Sequence, residues 1–202
     1  MYFISNRVLR ITNSKMPRGI KRTFEQRITI TLEKVMKRLQ KALRKELEMQ
    51  GHNMTGKLSD SVAYTIEEKD GKVIAEMTAL NYGLILEVGV AANRIPFGGG
   101  RTGAKTSKYI EGLARFFQIR KGLNQKESLR AAFATARVHK REGMPSRGSY
   151  GYSRNGERKN WIKNTLTNNL EQIGMIIKND TGATLELAFA ENMKIDSVKF
   201  EA

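Results

Sequence analysis

The sequence predicts an α+β fold. A long N-terminal amphipathic helix packs on a small antiparallel sheet, made of a hairpin plus a C-terminal strand, and a helical basic insertion interrupts this core. Three observations lead there. Apolar residues from Ile28 to Leu47 recur at spacings of three and four, which is one face of a helix. Two alternating runs, Val62, Tyr64, Ile66 and Val73, Ala75, Met77, flank Asp70-Gly71, a dipeptide that supplies the positive φ angles of a tight hairpin turn. Strands and helices do not alternate regularly along the chain, which argues against a doubly wound parallel sheet.

Residues 1–22 are basic and lack apolar periodicity, so they read as an arm. Residues 23–90 and 160–202 form the core, and 91–159 form the basic, partly helical insertion. Within the core, Ile28, Leu32, Val35, Met36, Leu39, Ala42, Leu43 and Leu47 line one side of a helix of about 20 residues that Gly51 stops. Gly51 to Gly56 is a loop by composition, and the hairpin follows. Tyr82 to Gly89 is a short apolar run holding one carboxylate; periodicity does not decide between helix and strand over so few residues. Pro96 to Gly103 is glycine-rich and reads as a loop.

Two bounded helices occupy the insertion. Ser107 caps the first, which buries Tyr109, Ile110, Leu113, Phe116 and Phe117 and ends at Gly122. Asn124 followed by Glu127 is a capping-box pattern for the second. It buries Leu129, Ala132, Phe133 and Ala136 and stops at Gly143, with Pro145 just beyond. A loop rich in Gly, Ser, Arg and Tyr follows over 143–158. Back in the core, Ile162, Leu166, Leu170, Ile173 and Ile177 form the stripe of a helix that starts at Trp161. Ala183, Leu185, Leu187 and Phe189 then alternate with polar or small residues as a strand with one buried face, and Ile195 to Ala202 leaves room for another.

Composition narrows the function. The 202 residues suit one domain with a large insertion. With no cysteine and only two histidines, a disulfide framework, a thiol nucleophile and a Cys- or His-rich metal site are excluded. No stretch approaches the roughly 20 apolar residues of a bilayer span, and Arg7 and Arg10 break the start before a signal-peptide core accumulates. The expected setting is a cytoplasm, or a particle assembled there, with no membrane partner. Lys and Arg number 36 against 20 Asp and Glu, for a net charge of +16. Residues 91–163 carry seventeen positive and four negative charges, whereas residues 31–90 carry nine of each. Charge concentrated in one segment points to a polyanion or an acidic partner; solubility alone is the plainer alternative.

Catalytic patterns are weak. Gly99 and Lys105-Thr106 approximate a phosphate-binding loop, but Ala104 stands where glycine is needed and Pro96 sits where a central strand should end. His52 and His139 are isolated, and His139, beside Lys140 and Arg141, reads as a surface or edge residue. No catalytic residue, cofactor or metal is therefore expected. The loop cations Arg94, Arg101, Lys105, Arg147, Arg154, Arg158 and Lys159, with Tyr150 and Tyr152 among them, suit sequence-independent contact with phosphates or an acidic partner.

Two short elements carry a family resemblance. Thr55, Gly56, Leu58 and Ser61 lie between the long helix and the hairpin and resemble the T-G-x-L-x-x-S element of the tail-completion proteins of tailed bacteriophages, the neck or tail-terminator family. Tyr82, Glu87 and Gly89 are similar to that family's Y-A-x-x-V-E-x-G-T element, here with Gly83 for Ala and Val90 for Thr. Leu113 to Pro145 is similar to a helical insert of longer members. The resemblance spans residues 28–182. It implies an α+β core that assembles into a homo-oligomeric ring at the head–tail junction of a virion, meeting portal or connector and tail proteins, with genomic DNA passing through. A small, sequence-independent nucleic-acid-binding protein is the alternative.

Overall fold

The computed structural model describes the backbone of residues 18–69, 72–98 and 106–181, and their side chains from 26 to 180. It is an α+β chain, mostly helical, with one two-stranded antiparallel sheet among the described residues. The expected C-terminal strand, Ala183 to Phe189, and most of the expected arm lie outside those residues. No helix among them is long and apolar enough to cross a membrane.

Contacts divide the chain into two compact units. Among the described residues, the first comprises 18–44, 60–69, 72–81 and 164–181, and the second 45–59, 82–98 and 106–163. Tyr82–Val88 groups with the insertion because its backbone and side chains bond the segment around Asn160 and Trp161.

In the first unit, α1 (Arg18–Met49) begins ten residues before Ile28. Residues 18–22, the described end of the expected arm, are therefore helical. Extending a formed helix adds a hydrogen bond per residue without a new nucleus, so no apolar stripe is needed there. From Ile28 the stripe is as expected: Ile28, Leu32, Val35, Met36 and Leu39 are buried. They pack with Val73 and Ala75 of β2 (Lys72–Thr78) and with Ile173 and Ile177 of the last helix, α6 (Trp161–Thr181). Tyr64 and Ile66 of β1 (Ala63–Lys69) flank that cluster. The hairpin register pairs Ala63 with Thr78 at one end and Lys69 with Lys72 at the other. Gln40 and Arg44 both donate to the Val62 carbonyl, at 2.8 and 3.0 Å, and tie the entry of β1 to α1.

In the second unit, the last turn of α1 closes with paired bonds, His52 N to Leu47 O and Gly51 N to Glu48 O. Gly51 sits at φ 72°, the left-handed conformation this ending requires. The short helix α2 (Lys57–Ser61) follows the Gly51–Gly56 loop, in a stretch to which the sequence pattern assigns no element. Five residues are too few for periodicity to register. Tyr82–Val88 resolves as a helix, α3. In α4 (Lys108–Lys121), Ser107 Oγ accepts from Ile110 N, and Gly122 ends the helix at φ 64°. In α5 (Gln125–Glu142), the capping box of Asn124 and Glu127 is complete. Ile110 and Ala114 of α4 pack on Ala132 and Ala136 of α5, with Phe97, Tyr109, Leu113, Leu129 and Phe133 around them.

Candidate functional site

The family-like elements converge on one packed node in the second unit. α2 brings Leu58, 3% exposed, against α3. There Gly83 is buried, and a Cβ on it would lie 3.2 Å from both Leu58 Cδ1 and Trp161 Cζ2. A side chain at position 83 would therefore need the indole and Leu58 to give by a few tenths of an ångström. Trp161, 1% exposed, donates its indole N–H to Gly83 O at 2.9 Å.

One turn along α3, the buried carboxylate of Glu87 accepts from Ile162 N at 2.7 Å and Lys163 N at 3.3 Å. The Glu87 carbonyl accepts from Asn160 N. The first amides of a helix have no internal partner and form the positive end of its dipole. Glu87 therefore caps α6 from a distant part of the chain. Gly89 follows at φ 79°, where a Cβ would meet Met144 O at 2.5 Å. Val90 and Met144 exchange backbone hydrogen bonds at 2.8 Å beside it. The family-like residues thus hold the fold at this node. Leu58, Glu87 and Gly89 are interior or conformational residues, whereas Thr55 and Tyr82 are exposed. Gly56 has φ 75°, and in the first unit Ser61 Oγ accepts from Leu80 N at 3.0 Å.

A second node surrounds the C-terminal end of α1. Gln50 is fully buried and donates to Glu46 Oε1 at 2.8 Å and to Lys159 O at 3.0 Å. Arg158 Nη1 donates to Gln50 O, Arg154 N to Met49 O at 2.7 Å, and Arg120 Nη2 to Gly51 O and Asn53 O. Cations at the carbonyl end of a helix oppose its negative dipole end and satisfy its unpaired oxygens. Burial, and then the neighbouring Arg120, push the Arg158 guanidinium below its ordinary value. His52 Nε2 donates to Arg158 O at 3.2 Å. Burial, followed by the Arg158 charge, holds His52 down to about 4, so its ring is neutral at pH 7.

The loop cations therefore have different situations. Arg94 and Arg147 are exposed on single turns, Ala92–Arg94 and Arg147–Tyr152. Arg154 pairs with Glu48 at 3.2 Å, Arg158 is half-buried on the α1 terminus, and Lys159 is half-buried against Gly89. Arg101 and Lys105 lie outside the described residues. Tyr152 is not an open stacking platform: Phe116 meets it edge-on at 5.6 Å, and the Lys121 ammonium sits 5.4 Å from its centroid.

His139 corrects the sequence reading. It is 8% exposed rather than at the surface, and its Nδ1 shares a 2.7 Å hydrogen bond with the Tyr109 hydroxyl. Burial lowers its pKa and raises that of Tyr109 to about 12. Both groups are therefore neutral at pH 7. Helical spacing already placed residue 139 on the line of Ala132 and Ala136; its charged neighbours in sequence hid that. Trp161, Gln50 and Arg158 were invisible as partners because their contacts lie about 80 to 110 residues away along the chain. Comparison with protein-family models, with curated proteins and with solved structures finds no match.

Proposed function

We propose that this chain is a structural protein of a tailed-phage virion, forming a ring at the head–tail junction through which the genome passes. The observation that carries this reading is the order of elements around the two family-like motifs. A long amphipathic helix, T-G-x-L-x-x-S, a hairpin, and a helix ending in E-x-G follow one another. Leu58 and Gly83 of those motifs also pack against each other, and Glu87 lies one turn along the same helix as Gly83. Assembly takes place in the bacterial cytoplasm, with portal or connector proteins on one side and tail proteins on the other. The role is scaffolding: the chain packs, closes a ring and carries cationic surface, and it performs no turnover. Light scattering on the purified chain, alone and mixed with connector and tail proteins of its own particle, tests this. A ring mass in either condition supports it, and a monomer in both refutes it.

A further inference from the structure

We propose that the solvent face of α5 is a rail for the phosphate backbone of duplex nucleic acid, carried by Lys126, Arg130, Arg137 and Arg141. At 3.6 residues per turn, these four positions fall within a sector of about 60° and extend about 22 Å along the helix. All four are exposed. They lie opposite the buried line of Ser128, Ala132, Ala136 and His139.

An ordinary solvated helix face mixes signs, as α1 does where Glu33 pairs with Lys37 at 2.7 Å. The α5 sector holds no carboxylate. Of the two acids on that helix, Glu127 is spent in the capping box. Glu142 pairs with Arg141 at 2.8 Å and accepts from Arg147 N at 3.2 Å. Lys126, Arg130 and Arg137 have no ion-pair partner among the described residues. Lys126 with Arg130, and Arg137 with Arg141, are like charges at i,i+4, an arrangement that destabilises a helix by itself, although Glu142 already offsets part of the Arg141 charge. A phosphate lying between each pair removes that repulsion.

Three of the four are arginines, whose planar fork matches phosphate in two-point contact. Exposed Ala134 lies between the two pairs and leaves a low surface there, so a rod-shaped ligand can touch both. The stripe spans the axial length of roughly six base pairs, at about 3.4 Å per step. It contacts charge and not base edges, so binding ignores sequence. The inference shares with the proposed function only the premise that a polyanion is met; it does not need a ring.

The experiment is a salt titration of full-chain binding to two short duplexes of unrelated sequence. One variant is Lys126→Gln/Arg130→Gln/Arg137→Gln/Arg141→Gln. A charge-matched control, Lys37→Gln/Arg38→Gln/Lys41→Gln/Lys45→Gln, removes the same four charges from α1. Each lost phosphate contact lowers the log–log salt slope by about 0.9. The stripe variant should therefore lose about 3.6 and the control under about 1, which over about 50 to 200 mM salt is a difference of roughly 40- to 150-fold in salt sensitivity. Arg137→Gln alone should lose about 0.9, which keeps the test available if the quadruple variant does not fold. Equal losses in the two quadruple variants, no wild-type binding at low salt, preference for one duplex, or binding of poly-glutamate in place of either duplex would each overturn the proposal. Light scattering on the same variants decides the ring separately, because slope and assembly are independent readouts.

Discussion

Glu87→Ala should unfasten the start of α6. The carboxylate accepts two backbone amides, one short at 2.7 Å and one long at 3.3 Å. A hydrogen bond to a charged group contributes about 1.5–3 kcal/mol, and a carboxylate at a helix N-terminus adds about 0.3–1 kcal/mol through the dipole. The longer bond adds little, so the alanine variant should cost about 2–4 kcal/mol. Glu87→Gln keeps one carbonyl oxygen for the short bond and loses the charge, so about 1 kcal/mol is expected. Hydrogen exchange at the amides of Ile162 and Lys163 reads the effect locally. At 1.4 kcal/mol per tenfold, protection should fall about 30- to 1,000-fold for Ala and about fivefold for Gln. Exchange within threefold of wild type in Glu87→Ala would refute the capping role.

Leu39→Ala, at a position 6% exposed in the first core, should cost about 2–5 kcal/mol in denaturant unfolding, whereas Lys41→Ala should stay within about 0.5 kcal/mol; equal effects would mean that the stripe is misplaced. Gly83→Ala forces the Trp161 ring and Leu58 to give way and should cost about 1–3 kcal/mol, with a shift in tryptophan fluorescence. An unshifted spectrum at wild-type stability would contradict the packing. His52 and His139 both hold their imidazoles below the ordinary histidine value, so the unfolded chain takes up protons first as pH falls. The melting temperature should drop from about pH 6.5 toward pH 4, and His52→Gln with His139→Asn, which keeps a hydrogen-bond partner for Tyr109, should flatten that drop. An unchanged profile would mean that neither histidine is held neutral by the fold.

Signals confined to a few consecutive turns were legible in the sequence. The stripe from Ile28 to Leu47, the hairpin signalled by Asp70-Gly71, the Ser107 and Asn124 caps and the Gly122 stop all depend on neighbours within a handful of residues. What failed to show depends on distant partners or on length. α2 is too short to have a period. α3 reads equally as a strand until Trp161 covers Gly83 and Glu87 reaches the first amides of α6. Loop composition made Arg158 look solvent-facing, but its guanidinium closes the end of α1 more than a hundred residues away in sequence. Conversely, the cations of α5 attracted no notice singly; only the helical projection gathers them into a stripe.

Electron micrographs of the purified full chain, concentrated and then incubated with tail tubes of its own particle, test the central claim most directly. Under the proposed function, closed rings with a central opening are seen end-on in isolation or seated on tube ends. Single 22.8-kDa particles under both conditions, with bare tube ends, would contradict it.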